Sequence, residues 1–164
     1  MKKIRVGVIG LGFIGKQHVE ALRRLPYIEI VAGSDSNLSM REWCEKNGIQ
    51  KYYSDYKEML TNENMDVVHN CTPNNFHYEV SCEILKTGCH VYSEKPLTIK
   101  SVEGESLIEL ADKKGLKTAV NFNYRNNLMV QEIQQRIQNG RMGMISHIQV
   151  EYPVSYTHLT LPTI

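Results

Sequence analysis

Apolar and polar positions along this chain alternate between two periods. Residues 3–9 (KIRVGVI) form a short β-branched run closed by Gly10, which predicts a buried strand. Residues 13–25 (FIGKQHVEALRRL) place apolar side chains at Ile14, Val19, Ala21, Leu22 and Leu25, a helical spacing that Pro26 ends. The pair then recurs. Residues 28–34 (IEIVAGS) predict a second strand ended by Asp35, and residues 39–48 a short helix with Gly48 beyond its end. Residues 55–61 open with Asp55 and Glu58, a spacing that suits a helix N-cap. A third strand is expected over 65–71 (MDVVHNC), then a helix over 77–88 stopped by Gly88. The fourth strand is 90–93 (HVYS), followed by a helix over 101–115 and a fifth strand over 117–123. A last helix is expected over 127–140 and a last strand over 145–152 (ISHIQVEY).

Strands separated by helices are βαβ units. They imply an α/β fold: a doubly wound, Rossmann-type parallel sheet with helices on both faces. Ligands in such sheets sit at the carboxyl ends of the strands, so the residues just after each strand carry the interest. The chain shows no internal repeat and no low-complexity linker.

Composition narrows the classes. Lys+Arg 19 against Asp+Glu 18 leaves a formal charge of +1, which gives no electrostatic case for nucleic acid or an anionic membrane as partner. The N-terminal stretch is basic but Gly7 and Gly10 interrupt it, so neither a signal peptide nor a membrane span is expected. Cys44, Cys71, Cys82 and Cys89 form no C-x-x-C pair and no zinc pattern. Reduced thiols in a cytoplasmic protein without a metal are the expectation.

After the first strand comes GLGFIG, with Gly10, Gly12 and Gly15 in a G-x-G-x-x-G pattern. Between strand and helix this pattern suits a dinucleotide: a tight turn, a close approach to the diphosphate, and close helix–strand packing. The helix N-terminus, starting with Phe13 and Ile14, offers free N–H groups to the anion. Glycines also mark plain turns. Asp35 ends the second strand, 20 residues past Gly15. A carboxylate there accepts hydrogen bonds from ribose hydroxyls and repels a 2′-phosphate, which favours NAD over NADP. Arg41 stands near enough to oppose that preference. The competing assignment for Asp35 is a cap on the next helix.

Two further strand ends carry chemistry. Thr72, Pro73, Asn74 and His77 follow the third strand; they form either a wall of the cofactor groove or a turn with a helix cap. Glu94, Lys95 and Pro96 follow the fourth. There the Lys95 ammonium can bond a substrate hydroxyl and stabilise an alkoxide, Glu94 can orient it, and Pro96 can lock the turn, in cis or trans. A solvated Glu–Lys pair is the plain alternative. An unperturbed lysine is cationic near neutrality, which makes Lys95 a hydrogen-bond donor rather than a base.

GVIGLGFIG, CTPNNFH and YSEKPL, in this order, resemble the Gfo/Idh/MocA oxidoreductases, named for glucose–fructose oxidoreductase and inositol 2-dehydrogenase. The likeness runs from residue 3 to about 152, and E-K-P is its most specific mark. The resemblance implies that Lys95 is the active-site lysine and that Glu94 and Pro96 accompany it. It also implies that residues 121–125 (NFNYR), with Asn123 and Arg125, line the nicotinamide and substrate pocket. It implies a second domain, an open antiparallel sheet with helices. That domain would supply substrate contacts, the interface of a homo-oligomer and a proton-transferring histidine. The implied activity is hydride transfer between NAD and a sugar, cyclitol or related polyhydroxy substrate.

Three segments follow: a dinucleotide-binding domain over 1–123, a linker helix and first strand of a truncated α+β domain over 124–152, and a tail over 153–164. Residues 154–163 (VSYTHLTLPT) resemble the translation of a sequencing adapter, so the tail is expected to be artefactual and the chain to bind cofactor without turnover. His18 is read as a helix surface or packing residue and His69 as a strand-end one. A non-catalytic NAD-binding or redox-sensing module is the alternative. Transfer or aldol chemistry lacks a nucleophile constellation.

Overall fold

The computed structural model describes residues 3–151. Two units divide it, at 122/123. In the first, the elements run β1 (Ile4–Ile9), α1 (Phe13–Arg23), β2 (Ile28–Ser34), α2 (Met40–Lys46), β3 (Tyr52–Tyr53) and α3 (Tyr56–Asn62). They continue with β4 (Val67–Asn70), α4 (His77–Lys86), β5 (His90–Ser93), α5 (Ser101–Lys114) and β6 (Thr118–Val120). The strand order is β3-β2-β1-β4-β5-β6, with every neighbouring pair parallel. This is the doubly wound sheet expected from the alternation. β3 is the addition: two tyrosines, too short to carry a period of their own.

Strand side chains alternate between the faces. Val6 and Val8 join Leu11, Val19, Leu22, Cys44 and Ile49 in one apolar layer under α1 and α2. Ile9, Val68 and Val91 join Met59, Ile84, Leu85 and Leu107 in the other, under α3, α4 and α5. The register places Ser34, Ile9, Asn70, Ser93 and Val120 in one row across the sheet. The next residue of each chain forms the carboxyl-end rim: Asp35, Gly10, Cys71, Glu94 and Asn121. The rim is still stitched by backbone bonds, with Gly10 N–H to Ser34 O at 2.8 Å and Cys71 N–H to Ile9 O at 2.8 Å. Glu94 N–H reaches Asn70 O at 2.9 Å and Asn121 N–H reaches Ser93 O at 2.8 Å.

Helix ends follow local chemistry. Asp55 caps α3, its carboxylate accepting from Lys57 N–H at 2.8 Å. Gly88 and Gly115 end α4 and α5 with positive φ.

In the second unit, a 3-10 turn (Asn123–Asn126) precedes α6 (Leu128–Gln138), whose cap Asn127 accepts from Met129 N–H at 2.9 Å. The strand expected over 145–152 is not formed at residues 145–151, which make no ladder bond. The alternating pattern is present, but a strand also needs a partner edge, and none pairs with it among the described residues. Tyr152 and the tail lie outside them.

Ile84 on α4 is fully buried, whereas Ile108 on α5 is half exposed. Ile84→Ala is expected to cost about 2–5 kcal/mol in urea unfolding. Ile108→Ala should cost less than about 1 kcal/mol.

Candidate functional site

The sheet reverses its winding between β1 and β4, and there the first turn leaves the rim. Gly10 has φ +85°, and a Cβ on it would lie 2.5 Å from Cys71 O. A Cβ on Gly15 would lie 1.8 Å from Gly10 O, so α1 can start this close to β1 only with glycine there. Gly12 is different: a Cβ there would meet nothing within 4 Å. It faces open space at the N-cap of α1, and no side chain caps that end. The first-turn N–H groups, including those of Phe13 and Ile14, therefore keep donor capacity for an anion.

A groove of about 760 Å³ opens here. Gly10, Gly12, Phe13, Ile14, Asp35, Thr72 and Pro73 line it, together with Tyr56 and Phe76. Asp35 does not cap α2, which starts at Met40 after Ser39. Its Oδ2 accepts from Leu11 N–H at 2.6 Å and its Oδ1 from Asn37 N–H at 2.8 Å. A carboxylate held by two backbone donors still has lone pairs for hydroxyl groups in the groove. The donor set therefore suits a dinucleotide: N–H groups for a diphosphate at one end, a carboxylate for ribose at the other.

His77, expected in the groove wall, has no exposed surface and is not among the lining residues. One ring nitrogen faces Pro96 O at 2.5 Å and the other Thr72 O at 2.8 Å. Carbonyls only accept, so filling both bonds at once takes both ring protons. His77 is a strut between the two turns and does not line the groove. Asn70, which sequence reasoning passed over, does similar work. Its amide donates to His77 O at 3.0 Å and Ser81 Oγ at 2.9 Å, and its oxygen accepts from Thr72 Oγ1 at 2.7 Å. Asn74 is exposed and outside the groove lining. Asn123 and Arg125 belong to the second unit, on its 3-10 turn.

Beyond β5, the Lys95–Pro96 peptide is cis. Lys95 is exposed and its ammonium bonds no described residue. Glu94 is neither solvated nor aimed at that ammonium, and it does not line the groove. It is buried, and its Oε1 accepts from Asn121 Nδ2 at 2.6 Å and His18 Nε2 at 2.9 Å. Its Oε2 accepts from the Lys95 backbone N–H at 3.2 Å. It touches Lys95 only through the backbone. His18 is correspondingly a buried residue rather than a surface one.

Burial alone would raise the Glu94 carboxyl, but the bonds from Asn121, His18 and Lys95 N–H outweigh it and hold the group below its ordinary range. Burial, then the nearby Glu94 charge, pushes the Cys71 thiol up, so it stays protonated. A carboxyl depressed by folding adds stability above its unfolded titration range, and that stability is lost as pH falls through the lowered native value. Glu94→Gln should remove this component, giving a flatter acid limb in urea unfolding followed against pH; an unchanged limb would contradict the assignment.

The model of the oxidoreductase family with an NAD-binding Rossmann fold, Gfo/Idh/MocA, matches residues 4–122. D-glucoside 3-dehydrogenase of Escherichia coli (strain K12) is 35% identical over 144 residues, covering 87% of this chain and 41% of that protein. Myo-inositol 2-dehydrogenase of Thermotoga maritima is 33% identical over 141 residues, covering 85% of this chain and 42% of that protein. The crystal structure of the WlbA dehydrogenase from Bordetella pertussis, in complex with NADH and UDP-GlcNAcA, superposes with a TM-score of 0.81. It is 29% identical and covers 87% of this chain and 41% of that one. The chain thus spans about 42% of the length of such relatives. With the sheet order, the glycine turn and the matched residues in agreement, the chain belongs to the Gfo/Idh/MocA family of oxidoreductases, as its NAD-binding Rossmann domain.

Proposed function

We propose that the chain is the cofactor-binding portion of an NAD-dependent dehydrogenase or reductase acting on a CH–OH group of a sugar, cyclitol or related polyhydroxy compound. By itself it binds the cofactor without turning over. The observation that carries the reading is the shared rim: a glycine turn open to an anion and a projecting Lys95 follow strands of one sheet edge. The Escherichia and Thermotoga relatives, a D-glucoside and a myo-inositol dehydrogenase, support the substrate class. The NADH in the Bordetella complex supports the cofactor.

The N–H groups at the start of α1 hold a diphosphate, and Asp35 accepts from ribose hydroxyls. Asp35 also disfavours a 2′-phosphate, so NAD is preferred to NADP. When bound, the nicotinamide supplies an acceptor for the hydride that leaves the carbinol carbon. Lys95, as an ammonium, donates to the substrate oxygen and offsets the negative charge that develops there. The hydroxyl proton needs a separate base, and on this reading the second domain supplies it. Assembly of the longer protein into a homo-oligomer and a cytoplasmic location belong to the same reading.

Fluorescence titration of the chain with NADH tests it. Gly12→Ala should weaken NADH while changing stability by less than about 1 kcal/mol, since its Cβ meets only the groove. Asp35→Ala should weaken NAD by about 1.5–3 kcal/mol and NADP less. Equal losses for the two cofactors would remove the ribose assignment. NAD with myo-inositol or a glucoside should yield no NADH from this chain alone.

A further inference from the structure

One cluster has no part in the cofactor groove. On the α1 face of the sheet, His69 and Tyr92 are paired residues of β4 and β5, and their rings stack at 4.6 Å. His18 descends from α1 onto them, its ring 5.1 Å from that of His69 and nearly perpendicular to it. His18 Nδ1 lies 2.8 Å from His69 Nδ1, and His18 Nε2 lies 2.9 Å from Glu94 Oε1. A second cavity of about 460 Å³ adjoins the cluster, lined by Gln17, His18, Leu25, His69, Tyr92 and Asn121 among others.

Proton counting constrains these contacts. A carboxylate accepts, so His18 Nε2 carries a proton. Two nitrogens at 2.8 Å share one proton, because two lone pairs or two N–H groups would repel. Two states with His69 neutral meet both conditions. In one, both rings are neutral and His69 Nδ1–H donates to His18 Nδ1. In the other, one more proton is present: His18 holds both of its own and donates to His69 Nδ1, and His69 carries its proton on Nε2. The bond to Glu94 survives in both, as a neutral hydrogen bond in the first and as an ion pair in the second.

The added proton has an entry. His69 Nε2 bonds no described residue, yet no side-chain nitrogen or oxygen among the described residues is both buried and unpartnered. His69 lines the cavity, and that nitrogen is not closed off from solvent. Burial, and secondarily His18, lowers the His69 imidazole to about 3, so His69 stays neutral. The groups facing the pair are Gln17 from α1, Tyr92 from β5, and Glu94 and Asn121 from the rim, with Cys71 beyond β4. Burial raises both Tyr92 and Cys71, which leaves Glu94 as the charge that His18 answers.

We propose that His18 is a positioning residue for Lys95, acting through Glu94, and that its contact with His69 lets it change charge without releasing that carboxylate. Glu94 in turn holds the Lys95 backbone N–H at 3.2 Å. The protonation of a histidine pair on one face of the sheet thereby sets how firmly the lysine turn is held at its edge. The role for Lys95 rests on the dehydrogenase reading; the coupling between His18 and the Lys95 turn does not.

NMR of the isotope-labelled 164-residue chain tests the coupling, following ring nitrogens and amides through the imidazole titration range. The Lys95 backbone amide and the Asn121 side-chain amide should shift with the same midpoint as the His18 ring. His69→Phe keeps the stack on Tyr92 but removes the partner of His18 Nδ1 in both states, so the midpoint should move. His18→Gln keeps a donor toward Glu94 and should abolish the midpoint at Lys95 in a folded spectrum. A Lys95 amide that ignores the His18 titration overturns the inference, and the unaltered chain alone decides this if a variant fails to fold. An NADH titration of the same sample separates the two claims. Coupling without NADH binding removes the dehydrogenase reading; NADH binding without coupling removes the inference alone.

Discussion

The arrangement depends on a steric constraint at the point where the sheet changes its winding direction. Gly10 passes so close to Cys71 O that no Cβ fits between them, and Gly10 O in turn leaves no room for a Cβ at position 15. These two contacts fix where α1 begins and at what angle it crosses the sheet. The start of the helix thereby reaches the rim without a side-chain cap and opens onto the groove. Less than one turn beyond Gly15 the same helix delivers His18 across β4 to Glu94. One close approach thus organises both ends of the site.

The rim then separates its charges by environment. Asp35 keeps part of its carboxylate toward the groove after accepting from Leu11 and Asn37. Glu94, two strands away from β1, is drawn inward and satisfied by side-chain and backbone donors together. Removing one donor would leave a buried anion short of a partner, which costs more than the bond itself contributes. Lys95 has no such partner among the described residues and stays exposed. Neighbouring residues of opposite charge here do not pair with each other; each is committed in a different direction.

Much of this was legible in the sequence, for physical reasons that differ by element. β-Branched runs bounded by glycine and proline read as strands at β1, β2, β4 and β5 because burial on both faces of a parallel sheet demands them. The glycine turn read correctly because its geometry is local, and Asp55 read as a cap for the same reason. What failed was nonlocal. His18 and His69 are 51 residues apart, and no periodicity links a helix position to a strand position on the face beneath it. For Glu94 the sequence offers an orienting role toward the Lys95 ammonium or a solvated pair, and neither anticipates that α1 and Asn121 bury it. His77 sat correctly at the start of α4, but its side chain turns inward rather than to the groove. The alternation over 145–151 is a true pattern, but no edge among the described residues pairs with it.

His77 carries a consequence of its own. Its ring spans from the turn after β4 to the turn after β5, meeting one carbonyl of each. Two loops that lie 19 residues apart from strut to far anchor are thereby coupled mechanically, with almost no slack between them. A shift of the chain around Thr72 cannot be absorbed locally; it is transmitted to Pro96 and the lysine before it. On the dehydrogenase reading proposed above, grip on the coenzyme and aim at the substrate are not independent variables, and a change that improves one at this joint will disturb the other.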